Sequence, residues 1–465
     1  MALLGTWAKR IAITIDHTKV DADLVDFPVC IHLAAAAGIS SDDVSAVFDE
    51  LTSDANRKKI AVTTSDGSSE CYVEIEKWDT TNEQAVLHVK VPSVSSSADT
   101  TLYIYYDSAQ AENTSYVGDT GDAVSQNVWD SYYSFVLHMI RQSDGSVKDS
   151  SVNALDWTSN GMDASNNGND STTGKSYLTF DGTEYLTGNN SSLTSPGSGG
   201  FHLEAVFNTV FDYSADGGIL YQDYGTDINN LLSIGCFLDT GYTNKIKYWL
   251  RDSSRNAEFS YSSTNINNGV NHHVAISRNA INNLDSSLDG TQYSTVTATC
   301  GTIYLSSGYA AKIGTTPGSL NYDWRGKILE VRFSKGTGRS SSWNKATYNT
   351  LFDTLLTFTA EENVADQPIN VPNALCALLA LTPAVNPYHV AGIVQEQGSA
   401  VARTVRLYDR STGALVDSVV SDAGDGSFDF SDIDGKVYTV IAFDADAGSD
   451  FNALIYDRVQ ATQAS

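Results

Sequence analysis

Carboxylate pairs, histidines and an indole flanked by cations are the groups in this sequence whose types and spacing could do chemistry. Hydrolysis of a sugar bond needs two carboxylates roughly 5–9.5 Å apart on either side of it, and Glu74 and Glu76 are the clearest such pair. They alternate with Val73 and Ile75, so the pattern reads as the solvated face of a half-buried strand. His272 and His273 are neighbours, point to opposite faces of a strand and cannot share one zinc. His32, His88, His138 and His202 stand singly on strand-like runs and read as structural histidines. Neither a glycine-rich phosphate loop nor a G-x-S-x-G elbow occurs. No catalytic residue is assigned, and the expectation is a protein that is not an enzyme.

Two binding chemistries stay open. Asp149, Asn153 and Asp156, then Asn166, Asn169, Asp170 and Asp181, offer oxygen ligands of the kind calcium takes. The same residue types also cap turns with their own side chains. No cofactor is required by the sequence; calcium is the one ion left open, and no metal site is assigned. The run Asn244 to Asp252 is more informative, with Ile246, Tyr248 and Leu250 on one face and Lys247, Trp249 and Arg251 on the other. Trp249 can stack on a sugar ring while Lys247 and Arg251 hydrogen-bond beside it. Alternatively, the cations pack on the indole itself. Trp249, Lys247 and Arg251 are the candidate ligand-binding residues.

Strands must position these groups. Ile11, Ile13 and Ile15 alternate with polar residues, and similar runs follow at Phe27 to Leu33, Ile60 to Thr64, Ser69 to Trp78, Ala85 to Val91 and Thr101 to Tyr106. Asp66-Gly67 marks a hairpin of type I′, in which both central residues take positive φ. An antiparallel sandwich over 1–115 is expected, then a bridge over 116–132 and a jelly roll over 133–358. Trp343, Ala346, Tyr348, Leu351, Phe352 and Leu355 have nearly helical spacing and predict a helix that closes the jelly roll as a lid. Residues 359–387 carry Pro368, Pro372, Pro383 and Pro387 around the apolar run Ala374 to Leu381, which reads as a linker with a short helix. A small sandwich over 388–465 ends the chain, with strands at Val390 to Val394, Thr404 to Asp409, Leu415 to Val420, Ser427 to Phe430, Tyr438 to Ala442 and Ala453 to Val459. The fold class is all-β: tandem sandwiches with a central concanavalin-like jelly roll.

Composition narrows the partners. The chain has 465 residues and a formal charge of -28, with 56 acidic against 28 basic residues, so it repels phosphate backbones and anionic headgroups. Nucleic acid and membrane insertion are not expected, since no run nears the roughly 20 apolar residues of a span. Cys30, Cys71, Cys236, Cys300 and Cys376 lack metal-binding spacing and are expected mostly as free, buried thiols.

The segments "VDFPVCIHL", "DGSSECYVEIEKWD" and "LHVKVPSVSSSADTTLYIYYDS" resemble an uncharacterised β-domain that precedes laminin-G-like modules in bacterial surface and phage proteins, and "VWDSYYSFVLHM" resembles the bridge that follows it. "YLTFDGTEYLTG", "FHLEAVFNT", "NNGVNHHVAISRNA", "SLDGTQYS", "AKIGTT" and "WRGKILEVRFSKG" resemble a laminin-G-like domain in their order. The last module is similar to transthyretin-like or carboxypeptidase-regulatory-like domains, and "FNALIYDRV" resembles the form that ends phage tail and fibre proteins. The resemblance implies a non-enzymatic virion protein (tail fibre, baseplate-associated or capsid-decorating) that recognises host-surface glycan or protein. Other virion proteins would be its partners and a homo-oligomer its state. Met1 to Arg10 lacks the apolar run of a secretory signal, so synthesis in a host cytoplasm and release by lysis are expected. A bacterial adhesin and a polysaccharide-degrading enzyme are the alternatives.

Overall fold

The computed structural model describes residues 4, 7–188, 196–213, 218–224, 231–237, 242–252, 254, 256–279, 283–297, 300–303, 310–315, 323–364, 388–396, 398–443 and 454–463. The chain forms two compact units, Leu3–Gln367 and Pro368–Ser465. Both are β-structures, and the α-helices among the described residues are Ala46–Leu51 and Ser341–Leu351.

The first sandwich follows from strand alternation. Ile11, Ile13 and Ile15 of strand Lys9–Ile15 face one core with Val29 and Ile31 of Leu24–Leu33 and Val73 and Ile75 of Val73–Asp79. One sheet runs Leu356–Phe358, Lys9–Ile15, Thr100–Tyr106, Ile60–Thr64, Glu70–Cys71; the other runs Leu24–Leu33, Gln84–Val94, Val73–Asp79, Val117–Asp119. Val117–Asp119 pairs parallel to Val73–Asp79, so the sandwich is not purely antiparallel and runs past residue 115. The hairpin at Asp66-Gly67 forms, but only Gly67 has positive φ, at 76°. A turn closed by the Gly67 amide on the Thr64 carbonyl, with the Asp66 carboxylate accepting from the Ser68 and Ser69 amides, replaces the expected type I′ turn.

This sandwich is completed from far along the chain. Leu356–Phe358 and Glu362–Asn363 pair with Lys9–Ile15, and Glu362 accepts a hydrogen bond from Arg10 at 2.8 Å. Helix Ser341–Leu351, capped by the Ser340 hydroxyl on the Trp343 amide, inserts Trp343 and Ala346 into the first sandwich's core. Trp343 meets Phe27 edge-on at 4.9 Å. The same helix also touches the jelly-roll strands Asn283–Leu288 and Thr291–Thr297. It is a wedge shared by both modules rather than a lid on one, because its apolar residues are on more than one side. Phe352 and Leu355, expected within the helix, follow it, Phe352 as its C-cap.

In the jelly roll a continuous ladder folds over one core. One half runs Ala257–Tyr261, Lys245–Arg251, Leu231–Phe237, Gly218–Tyr224, Lys312–Ile313, Tyr185–Thr187, Trp157–Asn160, Ser146–Asp149; the other runs Tyr133–Arg141, Arg325–Gly336, Gly200–Asn208, Asn271–Arg278, Asn283–Leu288, Thr291–Thr297. Ile246, Tyr248 and Leu250 of the first half meet Leu203, Phe207, Ile276, Val331 and Phe333 of the second.

The second unit packs Leu415–Val420, Thr404–Asp409, Val437–Phe443 and Leu454–Gln460 in one sheet, with Ser427–Ile433, Tyr388–Ile393 and Thr462–Gln463 in another. Val405, Leu407, Phe428, Phe430 and Val440 form its core. Pro368 to Pro387, with the expected short helix, lie outside the described residues. Cys30, Cys71 and Cys300 are free and buried, whereas Cys376 and the side chain of Cys236 lie outside the described residues.

Candidate functional site

Strands with one face in a core carry every second residue on the other face, and this jelly roll has two such outward faces. On the half that contains Tyr133–Arg141, Gly200–Asn208 and Arg325–Gly336, the outward residues are polar and yet buried. His138, His202, Glu204, Glu330 and Arg332 are each at most 1 % exposed; Glu74 and Glu76 of the first sandwich meet His138, and the Trp129 ring lies against Arg332. Glu74 and Glu76 therefore do not form a solvated face: they are 0 % and 5 % exposed.

Both carboxylates sit within an ionic seam. Glu74 accepts from the Trp129 indole at 2.5 Å and from Ser150 and Thr120 at 2.5 and 2.8 Å. Glu76 meets His88 Nε2 at 2.7 Å and His138 Nδ1 at 3.3 Å, and pairs with the Lys175 ammonium. Glu330 holds Lys175 at 2.7 Å, His138 at 3.2 Å and Arg332 at 2.5 Å. Arg332 reaches Glu204, its cross-strand partner, at 3.4 Å. Glu204 in turn lies 3.1 Å from His202 and 3.2 Å from His273. The four histidine and glutamate side chains Glu76, His88, His138 and Glu330 bring ligand atoms within 4.8 Å of one another, as a metal centre would. Lys175 already supplies a cation to two of them.

The charges are mutually dependent. Burial opposes ionisation of His138, but Glu330, Glu76 and Glu74 outweigh it and hold its pKa up at about 10. Burial pushes the Glu76 carboxyl up, while Lys175 and His138 bring it down to about 2. Burial and the Lys175 charge lower His88 to about 4, so it is neutral beside its charged neighbours. A sealed, paired network of this kind fixes one geometry between two modules.

The other outward face carries the expected ligand-binding residues. Lys245–Arg251 pairs with Leu231–Phe237 on one side and with Ala257–Tyr261, at the sheet edge, on the other. Ile246, Tyr248 and Leu250 face the core, which leaves Lys247, Trp249 and Arg251 outward. Lys247 is 9 % exposed, its ammonium 4.9 Å from the Trp249 ring centroid and 5.4 Å from that of Tyr261. Tyr261 stacks on Tyr242 at 3.9 Å, with Lys245 over Tyr242 at 5.6 Å. Cation–π packing thus gathers these residues into one patch, where Lys247 lies among rings and Trp249 and Arg251 keep partial exposure.

The oxygen-rich stretches do not converge. Asp149 accepts from the Val136, Ser151 and Leu155 amides, Asp156 from Lys148, Asp170 from the Thr172 and Thr173 amides and Asn271, and Asp181 from the Thr183 amide. His272 and His273 point to separate partners, Asp289 and Glu204. His88, His138 and His202, read as solitary, share the seam, and His32 lies 3.3 Å from Cys30. Complementary polar residues at alternate positions of "HVAIS", "FHLEAVF" and "LEVRFS" were the available signal of a covered second face.

Residues 56–135 match a family described as a domain of unknown function, DUF2341, a stretch that overlaps the resemblance to an uncharacterised β-domain and holds two of its three quoted segments, but not "VDFPVCIHL". No curated protein matches the chain. Similar solved structures include domain 4 of AbnA, a GH43 extracellular arabinanase from Geobacillus stearothermophilus in complex with arabinotriose, at 12% identity over 46% of this chain and 96% of that one, TM-score 0.36. They also include the binding domain of Paraclostridial Mosquitocidal Protein 1, at 9% identity over 70% and 75%, TM-score 0.38. The binding domain of botulinum neurotoxin DC in complex with SialylT is a third, at 9% identity over 68% and 72%, TM-score 0.36.

Proposed function

We propose that this chain is a non-enzymatic recognition protein whose jelly roll binds surface glycan through the outward face that carries Trp249. The observation that supports this most is the patch of Trp249, Tyr261, Tyr242 and Lys245 at the sheet edge, with Lys247 packed among the rings: ring faces for sugar C–H groups beside a cation for hydroxyls and carboxylates. The non-enzymatic part draws on the seam, whose carboxylates and histidines are held by one another and lie where no substrate reaches them. A glycan array probed with the full chain and with Trp249→Ala tests the reading. Binding that weakens at least tenfold in the variant, with tryptophan fluorescence of the folded protein retained, is the expected result; undiminished binding moves the site elsewhere.

The finer reading is a component of a phage particle, with the flanking sandwiches attaching the jelly roll to the virion and repetition around a symmetric particle supplying avidity. Its support is the resemblance of the C-terminal module to those that end tail and fibre proteins. Mass spectrometry of purified particles should find the chain, and consistent absence removes this reading.

A further inference from the structure

Strand register extends the Trp249 patch into a row. Trp249 pairs with Ser233, Ser233 with Gln222, Gln222 with Lys312, Lys312 with Thr187 and Thr187 with Thr158, all at positions of the same outward parity. Neighbouring strands lie about 4.8 Å apart, so Trp249 and Lys312 are separated by roughly 14 Å along the row. At the far end a second aromatic and cation pair occurs, with the Lys312 ammonium 3.8 Å from the Tyr185 ring centroid. The row thus has a ring and a cation at each end, with Ser233 and Gln222 at the register positions between.

The charge on this face is opposite to that of the chain. Acidic residues outnumber basic ones 56 to 28 overall. Among the described side chains of the strands from Ala257–Tyr261 to Trp157–Asn160, the outward charged ones are Lys245, Lys247, Arg251 and Lys312. A face of one sign on a body of the other is a local field that selects ligands by charge.

We infer that the ligand of this face is an acidic polysaccharide, a sugar chain bearing carboxylate or sulfate groups, lying across the strands from Trp249 to Tyr185. This inference rests on the glycan-binding reading above and adds the charge class and the direction of the chain. The spacing suits an extended oligosaccharide in which rings stack at both ends and acid groups meet Arg251 and Lys312. Nucleic acid is also anionic, but its denser charge meets stronger repulsion from the acidic body.

The test uses the full chain and a panel of polygalacturonate, alginate, hyaluronan, chondroitin sulfate and heparin. Dextran, galactomannan and fully methyl-esterified polygalacturonate are the neutral arms, and a single-stranded oligonucleotide is the alternative anion. At least one acidic glycan should bind, at least tenfold more tightly than every neutral arm. Raising salt from 50 to 500 mM should weaken it, and Lys312→Glu should weaken it tenfold while Tyr185→Ala lowers it independently of salt. Equal binding of neutral and acidic glycans overturns the acidic class and leaves the glycan reading standing. Binding to no glycan overturns both, and preference for the oligonucleotide through the same residues replaces the polysaccharide by nucleic acid.

Discussion

The two outward faces of the jelly roll obey the same alternation and end in opposite circumstances. On one, Glu204, Glu330, Arg332 and His138 are sealed beneath the first sandwich; on the other, Trp249, Arg251 and Lys312 remain partly exposed. Covering changes what a charge does. Under the sandwich each charge needs its neighbours, and removing one leaves the rest uncompensated in a poor solvent for ions. On the exposed side water screens the charges, so they contribute little to stability and can serve a ligand. Polar residues on strands divide by what lies over them rather than by their own chemistry.

The largest expected effect that tests this contrast is at Lys175. Lys175→Met removes one of the two cations that Glu76 and Glu330 share and leaves them His138 alone, which should cost ~3–5 kcal/mol. All seven tryptophans lie in the Leu3–Gln367 unit, so denaturant unfolding followed by tryptophan fluorescence reports on it. A loss below ~1 kcal/mol would mean that water reaches the seam.

Next in size is the dependence on pH. His138 moves from its ordinary 6.5 to about 10 on folding, so its contribution is complete below 6.5 and is lost as pH rises to about 10. Glu76, brought from 4.5 to about 2, contributes fully above 4.5 and loses this as pH falls towards 2. The unit should be most stable between 4.5 and 6.5 as far as these two groups decide it, and its midpoint should decline towards pH 10. In His138→Gln that alkaline slope should flatten, and an unchanged slope would assign it to another group.

The smallest expected effect sharpens the contrast from the other side. Trp249→Ala should change stability by under ~1 kcal/mol, since the indole packs on an outward face and not in the core. A loss approaching the ~3–5 kcal/mol of a core tryptophan would make the patch structural.

Much of the fold was legible because period-2 alternation is a local signal. Ile60–Thr64, Thr404–Asp409 and Leu415–Val420 coincide with the runs read from sequence. The orientation of Ile246, Tyr248 and Leu250 against Lys247, Trp249 and Arg251 was legible for the same reason. Alternation states only that two faces differ. Whether Glu74 and Glu76 meet water or another module depends on contacts with His138 and Lys175, 62 to 99 residues away, which no local pattern contains. The pairing of Leu356–Phe358 with Lys9–Ile15 was hidden likewise, because its short strand carries no sign of its destination.

That last pairing sets a timetable for synthesis. The first sandwich cannot gain its edge strand or the Trp343 wedge until the ribosome has passed residue 363, although its other strands are complete by residue 119. At usual elongation rates the wait is roughly 10–50 s. During this interval strand Lys9–Ile15 has an unpaired edge, and Phe27 and its neighbours lack the helix that covers them. A nascent chain with this topology exposes a sticky β-edge while the whole jelly roll is translated, and chaperone demand should peak there rather than at the end of the protein.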